Sequence, residues 1–261
     1  MGEGKRLWNR RQPALDADYP FVVDEQTATN LGCEGLAELA LNLWPKDCQT
    51  CGWELGQTRP TVQVLDFIAF VSASLHHARC QPAEWSTRPV LSSSQPLLSY
   101  TTRSLLLPAE ANGHRDDRPV ILVNPSLEKV NLSPHDGRWT VNTVSHYRQV
   151  GLRSPFQDFV VDAPIPDIVA ALEGDELTVT LDNTGQTWGN QLVGPICQRV
   201  RELGGITLAI STAADPHRVQ TVGQFVALMQ TGQVAMGWVA LAGTETLRPL
   251  HETTAPSSLV T

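Results

Sequence analysis

Long hydrophobic runs are missing from this sequence. No uninterrupted apolar stretch reaches the length of a membrane-spanning helix, about 20 residues. The first residues carry charge without the apolar region of an export signal, and the five cysteines are an odd number. Both observations favour the reducing cytoplasm over a secreted, disulfide-bonded protein. With 41% hydrophobic residues among 261, the chain is long enough to bury a full core.

Positive charge is also scarce. The chain has 19 Lys and Arg residues and 27 Asp and Glu residues, which gives a formal net charge of −8. Affinity for nucleic acid depends largely on basic side chains at phosphates, so this charge disfavours such a partner. A nucleic-acid surface would need Arg59, Arg79 and Arg88 to gather on one face. Only three of the basic residues are lysine, and this preference for arginine favours a GC-rich bacterial genome.

The motifs of the best-known enzyme chemistries are absent as well. The chain has no G-x-x-x-x-G-K-[ST], G-x-G-x-x-G, G-x-S-x-G or H-E-x-x-H pattern. Phosphate loops, dinucleotide loops, nucleophile elbows and zinc-protease helices therefore have no support in the sequence. Enzymes without such motifs remain possible.

One concentrated group of metal-type residues is present. Cys48 and Cys51 are separated by two residues, and after 25 more residues His77 and Cys80 form a second pair with the same spacing. Zn²⁺ prefers four such ligands in a tetrahedron, and each pair fits one tight turn. Gly52 allows the positive φ with which a zinc knuckle turns back. We therefore predict one structural zinc site with these four ligands.

Other interpretations of these residues exist. They could be ordinary buried cysteines, or a redox C-x-x-C, although that motif normally opens a helix and nearby proline and glycine favour a loop. His76 could replace His77 as ligand. Cys33 and Cys197 lie outside the group, and Cys197 belongs to an apolar helical stripe that predicts a core position.

The pattern over residues 48–80 resembles the treble-clef zinc fingers. Segments 61–67 and 69–74 are rich in Val, Ile and Phe and predict a β-hairpin, after which the spacing of His77 and Cys80 predicts the first turn of a helix. Knuckle, hairpin and ligand-bearing helix in this order are similar to such fingers, and the ligand spacing looks like the first half of a LIM domain or a poly(ADP-ribose) polymerase-type finger. The resemblance implies structural zinc and no particular function.

For the whole chain we predict an α+β fold, with an N-terminal treble-clef zinc module, a β-rich middle and a C-terminal α/β unit with mainly parallel strands. The predicted segments are a tail at 1–19, a zinc-containing region at 20–96, a β-rich segment at 97–155, an α/β unit at 156–245 and a tail at 246–261. The predicted helices are 31–44, 166–172, 195–203 and 221–230, the last with a capping box at Thr221 and Gln224. The predicted strands outside the zinc module are 97–107, 119–124, 129–132, 138–141, 159–161, 176–181, 206–211 and 234–242.

Ligands of open parallel sheets bind beyond the carboxyl ends of the strands, which here predicts the loops 162–164, 182–190 and 211–218. Four polar residues of these loops could supply a carboxylate, a base and an anion contact: Asp182, Asp215, His217 and Arg218. The same residue types also end strands simply because they favour turns.

Two functions remain from these observations. The first is a zinc-stabilised cytoplasmic adaptor whose partner is another protein. The second is an enzyme that acts on a small polar or anionic ligand at the 182–190 and 211–218 loops. A nucleic-acid-binding zinc finger is the weakest of the alternatives, because of the acidic charge.

Overall fold

The computed structural model shows two main β-sheets, a smaller three-stranded sheet and a two-stranded one. It describes residues 19–87, 99–108, 110–111, 114–115, 117–155 and 163–243. The helices are α1 Glu25–Asn42, α2 Thr143–Gln149, α3 Gly194–Leu203 and α4 Val222–Gln230, with a short 3-10 helix at Pro216–Arg218. None of the described helices is long and apolar enough to cross a membrane.

The strands follow in chain order. Those of the N-terminal and middle parts are β1 Thr61–Asp66, β2 Val71–His76, β3 Glu84–Ser86, β4 Thr101–Leu107, β5 Glu110–Ala111, β6 His114–Arg115, β7 Arg118–Asn124, β8 Lys129–His135 and β9 Arg138–Val141. Those of the C-terminal part are β10 Ile168–Glu173, β11 Glu176–Leu181, β12 Gln186–Gln191, β13 Gly205–Ile210 and β14 Ala235–Ala240. Among the described residues, β5 and β6 form a two-stranded sheet with each other.

The first sheet has the strand order β3-β1-β2-β8-β9. Strands β1 and β2 form the predicted antiparallel hairpin, with Thr61 opposite His76, and this prediction is confirmed. Helix α1 packs against the apolar face of the sheet. It begins before the predicted residue 31 because the Asp24 carboxylate accepts a hydrogen bond from the Thr27 N–H at 3.1 Å and caps it there.

The second sheet has the order β14-β13-β7-β4. Only β13 and β7 are parallel, while β4 pairs with β7 and β14 pairs with β13 in the antiparallel sense. The prediction of mainly parallel strands is therefore wrong. A helix between two strands favours a parallel pair only when the connection crosses the sheet from end to end. Because β14 is antiparallel to β13, the connection through α4 starts and finishes at the same edge.

The third sheet is an antiparallel meander, β10-β11-β12. The helix predicted at 166–172 is wrong, because buried Ile168 and Ala170 alternate with outward-facing residues and give a strand period. Most of the predicted 182–190 loop is also a strand, with Trp188 buried in the core. The strand predicted at 159–161 lies outside the described residues.

The other C-terminal predictions are confirmed: α3, β11, β13, α4 and β14 lie where the sequence places them. The Thr221 side chain and the Gln224 side chain form the predicted capping box at the start of α4. The strands of the middle segment are divided between the sheets, β4 and β7 going to the second and β8 and β9 to the first. The division into separate domains stays a prediction.

Polar contacts join the first sheet to the second at the end of α1. The Thr212 hydroxyl, just after β13, donates to the Asn42 side-chain oxygen at 2.7 Å. The Trp44 indole N–H donates to the Thr212 carbonyl at 2.8 Å. Since Asn42 and Thr212 are both buried, these bonds are shielded from water and hold the two sheets in a fixed relation.

Candidate metal centre and candidate ligand loops

The four predicted zinc ligands come together at the base of the β1–β2 hairpin. Cys48 and Cys51 lie on the loop before β1, while His77 and Cys80 follow directly after β2. One ligand atom from each residue lies within 4.8 Å of all the others, so the group could hold a metal ion. Cys48 is buried and the other three side chains are half-buried.

The first ligand pair lies on a knuckle-shaped turn. The Cys48 N–H donates to the Trp53 carbonyl at 2.9 Å, and the Gly52 N–H donates to the Cys48 carbonyl at 2.8 Å. Gly52 has a φ of 72°, in the left-handed region that residues with a side chain disfavour. The expected role of this glycine is confirmed.

The second ligand pair lies on a single turn and not on a helix. The N–H groups of Cys80 and Gln81 both donate to the His77 carbonyl, at 2.9 and 3.1 Å, and the chain then enters β3, parallel to β1. Pro82 lacks the N–H that a continuing helix would use, and Trp85 buries its ring in the core of the first sheet. The helix predicted at this pair is therefore wrong, although the ligand spacing is preserved.

Distances within the group fit tetrahedral zinc. Nδ1 of His77 lies 3.5 Å from Cys51 Sγ and 3.9 Å from Cys80 Sγ. Zinc bonds of about 2.3 Å to sulfur and about 2.05 Å to nitrogen would place these atoms about 3.6 Å apart. The other ring nitrogen, Nε2, lies 3.1 Å from the Glu54 carbonyl, which can only accept a hydrogen bond. Nε2 therefore carries the proton, and Nδ1 is left free to bind a metal.

The electrostatics of the sulfurs also suit a cation. Burial by itself raises the pKa of the Cys48 thiol, but hydrogen bonds from the N–H groups of His77, Cys51 and Thr50 and from the Cys51 thiol hold it at about 6. The pKa of Cys80 is raised by burial and by the neighbouring sulfurs of Cys51 and Cys48. Crowded thiolates repel one another, and a bound cation removes that repulsion.

His76 is not in the ligand group. Its two ring nitrogens lie 2.9 Å from the Thr50 hydroxyl and 2.8 Å from the Ser74 hydroxyl, so both already have partners. Burial lowers the pKa of His76 to about 4, which keeps it neutral. Cys33 is exposed and outside the group, and Cys197 is buried in the core on α3.

A buried carboxylate that the sequence analysis missed supports the knuckle. Glu128, between β7 and β8, is completely buried and accepts hydrogen bonds from the N–H groups of Asp47 and Ser99 at 3.1 and 3.3 Å. Burial raises its pKa to about 7, despite these bonds. Nothing in the sequence around it marks this glutamate, because its partners lie far away in the chain.

The four candidate residues of the C-terminal loops lie in two places, one after β11 and three after β13. Asp182 is exposed between β11 and β12. The Asp215 carboxylate accepts a hydrogen bond from the His217 N–H at 3.0 Å and lies 3.6 Å from the Arg218 guanidinium, which also stacks over Trp44 at 5.6 Å. Within the described chain, no hydrogen bond or ion pair joins Asp182 to the other three.

Two of the arginines named for a nucleic-acid surface do lie together. Arg59 and Arg79 line a cleft of about 400 Å³ beside His77. Arg59 is partly engaged, because its guanidinium donates to the Phe21 carbonyl at 2.8 Å. Arg88 lies outside the described residues.

Within the described residues, the geometry thus brings together the four metal-type side chains at the base of the hairpin. Its interpretation rests on the chain's own residues. No protein-family model, no curated protein and no solved structure matches the chain.

Proposed function

We propose that this protein is a zinc-stabilised interaction module, an adaptor that binds another protein in the cytoplasm. Three thiols and one imidazole form a donor set that Zn²⁺ prefers, and four protein ligands leave no open position for water or substrate. The metal's role in this proposal is therefore structural. The five cysteines form no disulfides, as a reducing compartment requires.

The metal centre in this proposal is a variant of the treble-clef finger. Its knuckle and hairpin follow that arrangement, while a turn and the short strand β3 replace the ligand-bearing helix. Two features support a preformed zinc site. The Glu54 carbonyl holds the His77 ring, and backbone N–H groups of the knuckle point at the Cys48 sulfur.

The proposed interaction function depends on the residues at the tip of the same hairpin. Ile68 is 94% exposed and has a φ of 72°. A β-branched residue in this region is strained by about 1–3 kcal/mol, and glycine or asparagine would avoid that cost. Beside it, the rings of Phe67 and Phe70 stack with their centroids 4.9 Å apart. A strained, exposed apolar residue beside two aromatic rings has the character of a binding hot spot.

The metal centre and the apolar tip lie at opposite ends of one hairpin. Each strand has six residues, so the tip lies about 20 Å from the base. Every residue of β2 is buried, which makes this strand a rigid support. In our proposal zinc fixes the base of the hairpin, and the hairpin presents Ile68 to the partner.

Photo-crosslinking tests this function. A photoreactive amino acid replaces Ile68 in one sample and Val193, another exposed aliphatic residue, in a second. We expect a protein that crosslinks at position 68 and not at 193. That protein, once purified, should bind the Ile68→Asn variant at least about tenfold more weakly than the wild type, because hot-spot residues typically contribute that much.

A matched control keeps this test specific. Val193→Asn likewise replaces an exposed β-branched aliphatic side chain with asparagine, at the N-cap of α3, where asparagine is favourable. It should leave binding unchanged. Equal binding of the wild type and Ile68→Asn would contradict the proposed surface, and so would equal crosslinking at the two positions.

The alternatives have less support. An enzyme at the 182–190 and 211–218 loops would need its polar residues free for substrate, whereas Asp215 and Arg218 pair with each other. A nucleic-acid function is favoured only by the cleft that Arg59 and Arg79 share, and the net charge of −8 opposes it.

A further inference from the structure

A second cleft lies beyond the carboxyl ends of β7 and β13, the parallel pair of the second sheet. Its volume is about 340 Å³, at the small end of the range for metabolite-binding pockets. Pro125 directly follows β7 and Thr212 follows β13, so the cleft occupies the position where ligands of parallel strands bind. Strand β8, helix α2 and strand β12 supply the remaining walls.

Lys129 is the charged residue at the centre of the argument. Its side chain lines the cleft, is half-buried, and has no hydrogen-bond acceptor or carboxylate partner within the described chain. Burial lowers its pKa, which means that its ammonium group is short of solvent and of counter-charge. An anion in the cleft would supply that charge.

Several polar side chains of the cleft already have hydrogen-bond partners, but two amides in it keep N–H groups that no described residue accepts. The Gln186 side-chain oxygen accepts from the Tyr147 hydroxyl at 3.0 Å, which leaves its amide N–H₂ for another acceptor. The Asn131 amide has no hydrogen bond to another described residue, and His146 lies exposed at the rim. No Asp or Glu is among the described residues of the lining.

We propose that this cleft binds a small anionic metabolite that also carries hydroxyl or carbonyl groups. Its phosphate or carboxylate pairs with the Lys129 ammonium, and its neutral oxygens accept hydrogen bonds from the amides of Asn131 and Gln186. This site is separate from the metal centre and from the hairpin tip. Its lining includes one residue from each of two predicted ligand loops, Gln186 and Thr212, and none of the charged residues predicted there.

The walls of the cleft come from different sheets, which has a measurable consequence. Lys129 and Asn131 lie on β8 of the first sheet, Gln186 on β12 of the third, and Thr212 after β13 of the second. A ligand that bridges them binds only the folded arrangement, so it raises the unfolding temperature as its concentration rises.

The experiment uses the zinc-loaded full chain and three named probes: inorganic phosphate, ribose 5-phosphate and malate. Binding is measured by calorimetry and by the shift of the unfolding temperature, with sodium chloride at equal ionic strength as the blank. We expect saturable binding of at least one probe. Binding of the phosphates alone would identify the natural ligand as a phosphate ester, and binding of malate alone would identify it as a carboxylate.

Variants locate the binding. Lys129→Gln should weaken the best probe about tenfold, because a charge-assisted contact is lost. Arg138→Gln removes the same charge from the neighbouring strand β9, outside the cleft, and should leave binding unchanged. Asn131→Ala changes an exposed residue that the fold does not need, and it should weaken the probe by a smaller factor.

Two results would overturn the proposal. One is the failure of all three probes to saturate at about 10 mM, well above the affinity of weak sites. The other is equal binding by the wild type and a folded Lys129→Gln variant, with folding checked by its unfolding curve. Ile68→Asn should bind the probes like the wild type, so the cleft and the hairpin tip can fail independently.

Discussion

In the second sheet, hydrophobic clusters cover both faces of the central strand β7, whereas the first sheet has one apolar and one polar face. Ile121 and Val123 of β7 point into one cluster, and Val120 and Leu122 point into another. In the first sheet, the apolar residues of β2 face α1, and the alternate residues are buried but polar: Ser72, Ser74 and His76.

This difference explains where a metal would be needed. Apolar burial stabilises by about 25 cal/mol per Å², and a sheet with a single apolar face gains less of it. A structural metal supplies the missing stability in domains with small cores. We therefore expect the first sheet to depend on its metal centre and the second sheet to depend on packing.

The largest expected effect follows from removing one ligand. Cys51→Ser should abolish zinc binding and lower the free energy of unfolding by about 4 kcal/mol or more. The reason is that the metal binds the folded first sheet and not the unfolded chain, so its binding energy stabilises the folded state. Metal content by mass spectrometry and a denaturant titration measure both quantities. Cys33→Ser changes an exposed cysteine outside the group and should alter neither.

His77→Ala should have the same result as Cys51→Ser, since both remove one corner of the tetrahedron. Wild-type metal content and wild-type stability in either variant would contradict the ligand assignment. Selective loss of amide protection in the first sheet, with the second sheet protected, would show that the two regions depend on different forces.

A second variant tests the hydrophobic core that the second and third sheets share. Trp188 is almost completely buried on β12, where its ring packs against Tyr147. Trp188→Ala should lower the free energy of unfolding by about 3–5 kcal/mol, because it leaves a large cavity. Zinc content should remain at the wild-type level. Loss of zinc in this variant would show that the two regions unfold as one unit.

The grouping of the four candidate metal ligands could be predicted because its signal is local. Two pairs with metal spacing lie within residues 48–80, and Gly52 marks the turn that one pair needs. The hairpin between them was predictable for the same reason, since adjacent strands pair across a short turn. The turn at His77 was mistaken for a helix because ligand spacing is equally compatible with both.

The sheet topology could not be predicted in this way. The direction of β14 depends on how the long connection through α4 is routed over the sheet, and no local pattern specifies that route. The cleft at Lys129 was missed for a similar reason: its lining comes from four separate parts of the chain. Glu128 likewise gains its role only from partners distant in sequence.

A pH titration of stability tests Glu128, which lies between β7 of the second sheet and β8 of the first. The pKa of Glu128 is raised by burial from 4.5 to about 7, so between these values the folded state binds its proton more tightly than the unfolded state. The free energy of unfolding therefore falls as pH rises through this window. Relative to Glu128→Gln, wild-type stability should fall by about 1.3 kcal/mol between about pH 6 and pH 8.

Denaturant titrations in excess zinc, at several pH values, measure this difference. Zinc affinity itself rises with pH, but that contribution is common to both proteins and cancels in the comparison. Asp47, whose carboxylate accepts a hydrogen bond from the Ser99 hydroxyl at 2.6 Å and whose N–H donates to Glu128, is unchanged in the variant. A constant difference between the two proteins across this pH range would contradict the raised pKa of Glu128.

The smallest expected effect concerns the hairpin tip, and its sign is the opposite of the others. Ile68→Asn should raise the free energy of unfolding by about 1 kcal/mol, because asparagine tolerates a positive φ and an exposed isoleucine loses no burial. Ile68→Ala removes the side chain but keeps most of the strain, so its stability should stay close to the wild type. If Ile68→Asn is more stable than the wild type but binds the partner more weakly, Ile68 is kept for binding. If Ile68→Asn is less stable than the wild type, the Ile68 side chain instead helps to stabilise the fold.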